Sequence, residues 1–113
     1  MTVASFRKMA LAMPEAVEVG HQGHPDFRVG GKIFATLGYP DDSWAMVKLA
    51  PDQQEAFVAA DPSAFAPVKG GWGKGGATNV RLSKAKVKAV RTALLTAWRN
   101  VAPARLAQQV EVG

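Results

Sequence analysis

The densest chemical signal in the chain is the run Gly70-Gly71-Trp72-Gly73-Lys74-Gly75-Gly76, in which Gly71, Gly73 and Gly76 satisfy the pattern G-x-G-x-x-G. In dinucleotide-binding folds that pattern follows a strand and opens a helix, whose N-terminus then faces a pyrophosphate. Here it leads into Thr78-Asn79-Val80-Arg81-Leu82, which alternates like a strand, so dinucleotide binding of that type is not expected. A P-loop also fails, because Gly73-Lys74 is followed by Gly75 where a Ser or Thr would be needed. The glycines could still hold Trp72 and Lys74 out as a contact surface, since indoles stack on bases and lysines meet phosphates. The alternative, which the sequence favours, is that Trp72 folds back onto the core.

Other chemistry is sparse. His21, His24 and Asp26 are the one group resembling metal ligands. Their spacing is not helical, and no further ligand placed by the fold is evident, so turn or surface histidines are expected and no metal or cofactor. Acid–base catalysis needs two carboxylates, or a histidine and a carboxylate, with separated pKa values. Glu15 and Glu18 are close in sequence but read as solvated groups in a loop or at an edge. No G-x-S-x-G elbow surrounds Ser5, Ser43, Ser63 or Ser83. The absence of cysteine removes disulfides, zinc-thiolate sites and thiol nucleophiles together. No catalytic residue is therefore assigned, and a non-enzymatic role is expected.

Charge is the stronger cue. The net charge is +5, yet residues 1–61 hold five basic and eight acidic side chains, while residues 62–113 hold nine basic and one acidic. No carboxylate lies between Asp61 and Glu111. Such asymmetry points to an anionic partner, with solubility as the bland alternative. In the last helical segment Val87, Val90, Leu94, Trp98 and Val101 share one face and form a core stripe. Lys84, Lys88, Arg91 and Arg99 form a second stripe beside it, with Leu95 between them and Lys86 on the other flank. Cations in a first helical turn oppose the helix dipole, and a bound phosphate would relieve them. The alternative is a solvated face on which salt screens the charges.

These residues need elements to place them. A helix is predicted over Val3 to Met13, capped by Thr2 and ended by Pro14, with Val3, Phe6, Met9, Ala10 and Met13 inward. Phe27-Arg28-Val29, Gly30-Gly31 and Lys32 to Leu37 read as a hairpin on a two-glycine turn, with Phe27 opposite Phe34. A turn over Tyr39 to Ser43 precedes a strand from Trp44 to Leu49. Pro51 opens a helix to about Ala60 that buries Phe57 and Ala60. A short strand over Phe65 to Val68, the glycine loop, a strand over Thr78 to Leu82, and a last helix capped by Ser83 and running to about Val101 complete the pattern. The fold class is α+β: a two-layer domain spanning 1–113, with helices on an antiparallel sheet.

The run from Gly23 to Ala35 (GHPDFRVGGKIFA) resembles the signature of the bacterial MmcQ/YjbR-like family. The resemblance continues at Val47-Lys48-Leu49, at Gly70-Gly71-Trp72-Gly73 and at Ala97 to Pro103, so it covers nearly the whole chain in the right order. It implies a secretion-chaperone-like, double-wing domain of order α-β(3)-α-β(2)-α. Members are described as uncharacterised or as candidate DNA-binding proteins, and no catalytic residues are established for them. Members often have acidic residues in the last helix, where this chain has none, so the basic stripe belongs to this sequence.

The first functional expectation is a DNA-binding module that neutralises phosphates with Lys69, Lys74, Arg81, Lys84, Lys88, Arg91 and Arg99, while Trp72 stacks or wedges. The second is a protein-interaction or chaperone-like module with an apolar surface, forming a homodimer or engaging a protein partner. A third is a small-ligand pocket lined by Trp44, Trp72 and His24. No apolar run approaches the ~18 residues of a membrane span, and Arg7 and Lys8 break any leader-like stretch, so a cytoplasmic location is expected.

Overall fold

Thr2 begins the first helix: its hydroxyl accepts the Ser5 N–H at 3.0 Å, and α1 then runs Val3–Leu11 with Phe6 and Ala10 buried. In the computed structural model, which describes residues 1–20, 24–39 and 41–109, Met13 lies in the turn beyond this helix. The sheet that α1 covers has six antiparallel strands: β1 (Val17–Val19), β2 (Asp26–Val29), β3 (Lys32–Leu37), β4 (Trp44–Lys48), β5 (Phe65–Pro67) and β6 (Ala77–Arg81). Their spatial order is β1-β2-β3-β4-β6-β5. The helices α2 (Pro51–Ala60), α3 (Gly71–Lys74), α4 (Val87–Val101) and α5 (Ala104–Ala107) complete the chain.

The α+β architecture agrees with the sequence pattern, and four local departures have physical causes. First, β1 is an added edge strand: three residues carry little strand signal alone, and pairing with β2 defines it. Second, Phe27 pairs with Ala35 rather than Phe34, because the β2–β3 register shifts between Phe27 and Arg28. The Gly30-Gly31 turn has positive φ at both residues, as a tight hairpin requires. The extra residue on β3 is a bulge, which leaves Phe34 and Ala35 both buried with Phe27. Third, the glycine run contains the single turn α3. Fourth, α4 begins at Val87, so Ser83 is not its cap and Lys84 precedes the helix. Lys86 occupies the N-cap position, and no side chain caps it. The lysine-ringed first turn is therefore not formed as expected. In α2, Phe57 is only partly buried and Ala60 is exposed.

One face of the sheet carries the core. Val90, Ala93, Leu94, Ala97 and Trp98 of α4 are fully buried, and they join Phe6, Phe27, Phe34, Leu37, Val47 and Val80 in one cluster. Val87, expected in the stripe, is about half exposed. The Trp98 indole N–H donates to the Pro14 carbonyl at 3.0 Å, which ties α4 to the end of α1. On β1 only Glu18 turns toward the helices, where its carboxylate accepts from Arg7 Nε of α1 at 3.0 Å.

Candidate binding face

Strand alternation decides what the opposite face of the sheet shows. With Ala45 and Val47 turned into the core, Trp44, Met46 and Lys48 of β4 point the other way. The β4–β6 register sets Trp44 against Arg81 and Met46 against Asn79. Asp26 pairs with Thr36, and Thr36 with Met46. The row Asp26-Thr36-Met46-Asn79 thus crosses β2, β3, β4 and β6 on the face that α1 and α4 leave uncovered.

A groove of about 780 Å³ lies on this row, within the roughly 300–1,000 Å³ typical of ligand pockets. Thr36, Met46 and Asn79 line it together with Val68, Lys69, Gly71 and Trp72 of the β5–β6 connection, and with His24, Asp26, Leu37 and Tyr39. The His24 and Tyr39 rings meet edge-on, 6.2 Å between centroids. Asp26 accepts from Arg28 Nη2 at 3.1 Å, so the carboxylate in the groove is offset by a guanidinium.

Two tryptophan–cation pairs flank the groove. Arg81 lies over the Trp44 ring at 4.7 Å from its centroid, and Lys48 Nζ over the Trp72 ring at 5.8 Å. Both distances lie within the ~6 Å over which a cation is attracted to an indole face. Lys84 joins Trp44 and Arg81 around a smaller hollow of about 350 Å³. Asp41 is the neighbouring acid: the Ser43 backbone N–H, first among its partners, holds its carboxyl below the ordinary value, and the Arg81 charge adds to this.

The wall bearing Trp72 packs closely against its neighbours because of its glycines. A Cβ on Gly73 would lie 1.6 Å from the Val68 carbonyl oxygen, and one on Gly76 2.0 Å from that of Leu49. Gly76 also has φ +112°. The G-x-G-x-x-G pattern therefore serves close backbone packing at two of its three positions. Gln54 of α2 completes the clamp: its side-chain amide donates to the carbonyls of Gly73 at 2.9 Å and Ala77 at 2.8 Å. Trp72, favoured by the sequence to fold inward, is instead 56% exposed on this clamped turn.

Residues 11–100 match the model of the YjbR family. The chain belongs to that family. It also resembles a solved structure, that of a Deinococcus radiodurans protein described by the domain DUF419. Identity is 18% and the TM-score 0.76, over 96% of this chain and 86% of that one. At that identity the likeness concerns the fold. No curated protein matches the chain.

In this YjbR chain the expected contact residues divide between two layers. Lys69 and Trp72 line the groove, and Arg81 and Lys84 line the adjoining hollow. Lys88 and Arg91 lie on α4, in the other layer, and Arg91 lines a crevice with Lys8 and Met9 of α1. Arg99 is engaged within the protein, its Nη1 donating to the Ala107 carbonyl at 2.9 Å. Lys74 is exposed at the end of α3. The groove-side cations and the α4 cations Lys88, Arg91 and Arg99 thus stand on different elements of the fold. Lys48 and Trp44 were absent from the expected set of contacts. The alternation Trp44-Ala45-Met46-Val47-Lys48 could have flagged them, whereas their cation partners come from other segments. His24 is exposed at the rim, and His21 lies outside the described residues. Among the described residues no helix is long and apolar enough to cross a membrane.

Proposed function

We propose that this YjbR domain is a non-enzymatic DNA-binding module that contacts its ligand with the open face of the sheet. The observation that carries the reading is the pair of tryptophan–cation contacts, Trp44 with Arg81 and Trp72 with Lys48, on one face. Aromatic faces beside cations suit bases and phosphates together. Lys69 and Lys84 extend the positive set along the same face. Among the described residues the helix-layer cations Lys88 and Arg91 have no aromatic partner of this kind, and Arg99 is held by a backbone carbonyl. They contribute at most a diffuse attraction.

Fluorescence anisotropy with a labelled oligonucleotide tests this. Four phosphate contacts give a salt slope of about −3 on logarithmic axes for a single strand, hence roughly 50-fold weaker binding at 200 than at 50 mM salt. Replacing Lys48, Lys69, Arg81 and Lys84 with alanine should abolish most of that dependence. If this variant binds like wild type while a Lys88→Ala/Arg91→Ala variant does not, the open-face reading fails.

A second reading, a protein-interaction module, rests on the crevice between α1 and α4. Met1, Met9, Met13 and Val87 line it, and methionines adapt readily to apolar partners. A concentration-dependent increase in sedimentation coefficient, lost in Met9→Lys, would favour it.

A further inference from the structure

Resting on the open-face reading, we infer that the DNA bound is single-stranded and that one unstacked base enters the groove against Trp72. A duplex is read by a protruding helix or ribbon set into its groove. This face does the reverse, presenting a hollow bounded by Trp72 on one side and by Tyr39 and His24 elsewhere on the rim. A base reaches such a hollow only when it leaves its stack, as the bases of a single strand can.

The groove provides what an unstacked base requires. Met46 gives it an apolar floor, and the exposed Trp72 ring gives it an aromatic wall. That wall is preorganised by the contacts of Gly73 and Gly76 and by the two Gln54 hydrogen bonds, so stacking on it demands little ordering. The Asn79 side-chain amide lines the groove without a partner among the described residues and offers both donors and an acceptor to a base edge. Lys48 beside Trp72, and Lys69 on the groove, are placed for the flanking phosphates. Along β4 a second stacking position follows at Trp44. It lies four residues from Lys48, about 13 Å at the usual strand rise. A strand of DNA laid along β4 would meet Trp72 and Lys48, then the Asn79 row, then Trp44 with Arg81 and Lys84.

The experiment compares a ten-nucleotide thymidine strand with a duplex of equal length, read by anisotropy and by tryptophan quenching in wild type, Trp72→Ala and Asn79→Leu. Trp98 is fully buried and reports folding in each variant. The expected result is at least tenfold preference for the single strand. Quenching should be reduced in Trp72→Ala to what Trp44 contributes, with affinity down about tenfold, and Asn79→Leu should weaken binding severalfold. Equal or tighter duplex binding that ignores Trp72 and Asn79, yet falls in the four-cation variant, overturns the base seat and leaves the open-face reading intact. Binding of neither nucleic acid at low salt overturns both. If Trp72→Ala does not fold, Asn79→Leu and wild-type quenching still decide the outcome.

Discussion

The two positively charged regions of this domain differ in how they are built. The outer side of α4 takes its cations from one segment, at helical spacing, and is visible to any periodicity argument. The open face of the sheet gathers Lys48 from β4, Lys69 from the β5–β6 connection, Arg81 from β6 and Lys84 from the turn after it. It also couples two of those cations to indoles. Charge by itself is mostly screened at a surface; charge set beside an aromatic face and a groove is a specific chemical arrangement. The louder pattern in a sequence need not be the better-formed site.

The two regions should differ most at the glycines. Gly73→Ala should destabilise the domain by about 3 kcal/mol, since the added methyl meets a backbone carbonyl that cannot yield. Thr92→Ala, on the exposed side of α4, should change stability by no more than about 0.5 kcal/mol. Paired urea unfolding curves measure both. Next in size is the binding contrast: at low salt the Lys48, Lys69, Arg81 and Lys84 alanine variant should lose at least about 50-fold in affinity, and the Lys88→Ala/Arg91→Ala variant about threefold or less. Gln54→Leu removes the clamp on the Trp72 turn, and should cost about 1–2 kcal/mol in urea unfolding and weaken oligonucleotide binding with it. Smallest is Arg99→Ala, which should lower stability by about 1 kcal/mol through the lost Ala107 hydrogen bond. Its oligonucleotide affinity should remain that of wild type; a large loss would return the α4 layer to the site.

Much of the fold was legible because local chemistry and tertiary structure agree. Thr2 caps α1, Gly30-Gly31 turns the hairpin, Pro51 opens α2, and the Val90-Leu94-Trp98 stripe is buried in α4. What escaped depends on partners distant in the chain. Val17–Val19 becomes a strand by pairing with β2, the Phe34 bulge is set by register, and α3 forms where glycines let the backbone approach Val68 and Leu49. Ser83 looked like a helix cap, yet the chain turns through Lys84 before α4 starts. Of the expected contacts, Lys69 and Trp72 line the groove and Arg81 and Lys84 the adjoining hollow, whereas Lys88, Arg91 and Arg99 stand on α4. The pairing of Lys48 with Trp72 was not legible because it spans 24 positions, and no periodicity records such a contact.

The most direct test maps amide chemical shifts while a short single-stranded oligonucleotide is titrated into the labelled domain. Perturbations gathered on Thr36, Met46, Lys48, Lys69, Trp72, Asn79 and Arg81, with the outer residues of α4 unmoved, are the predicted result. Perturbations gathered on Lys88, Arg91 and Leu95, with the groove silent, would contradict it.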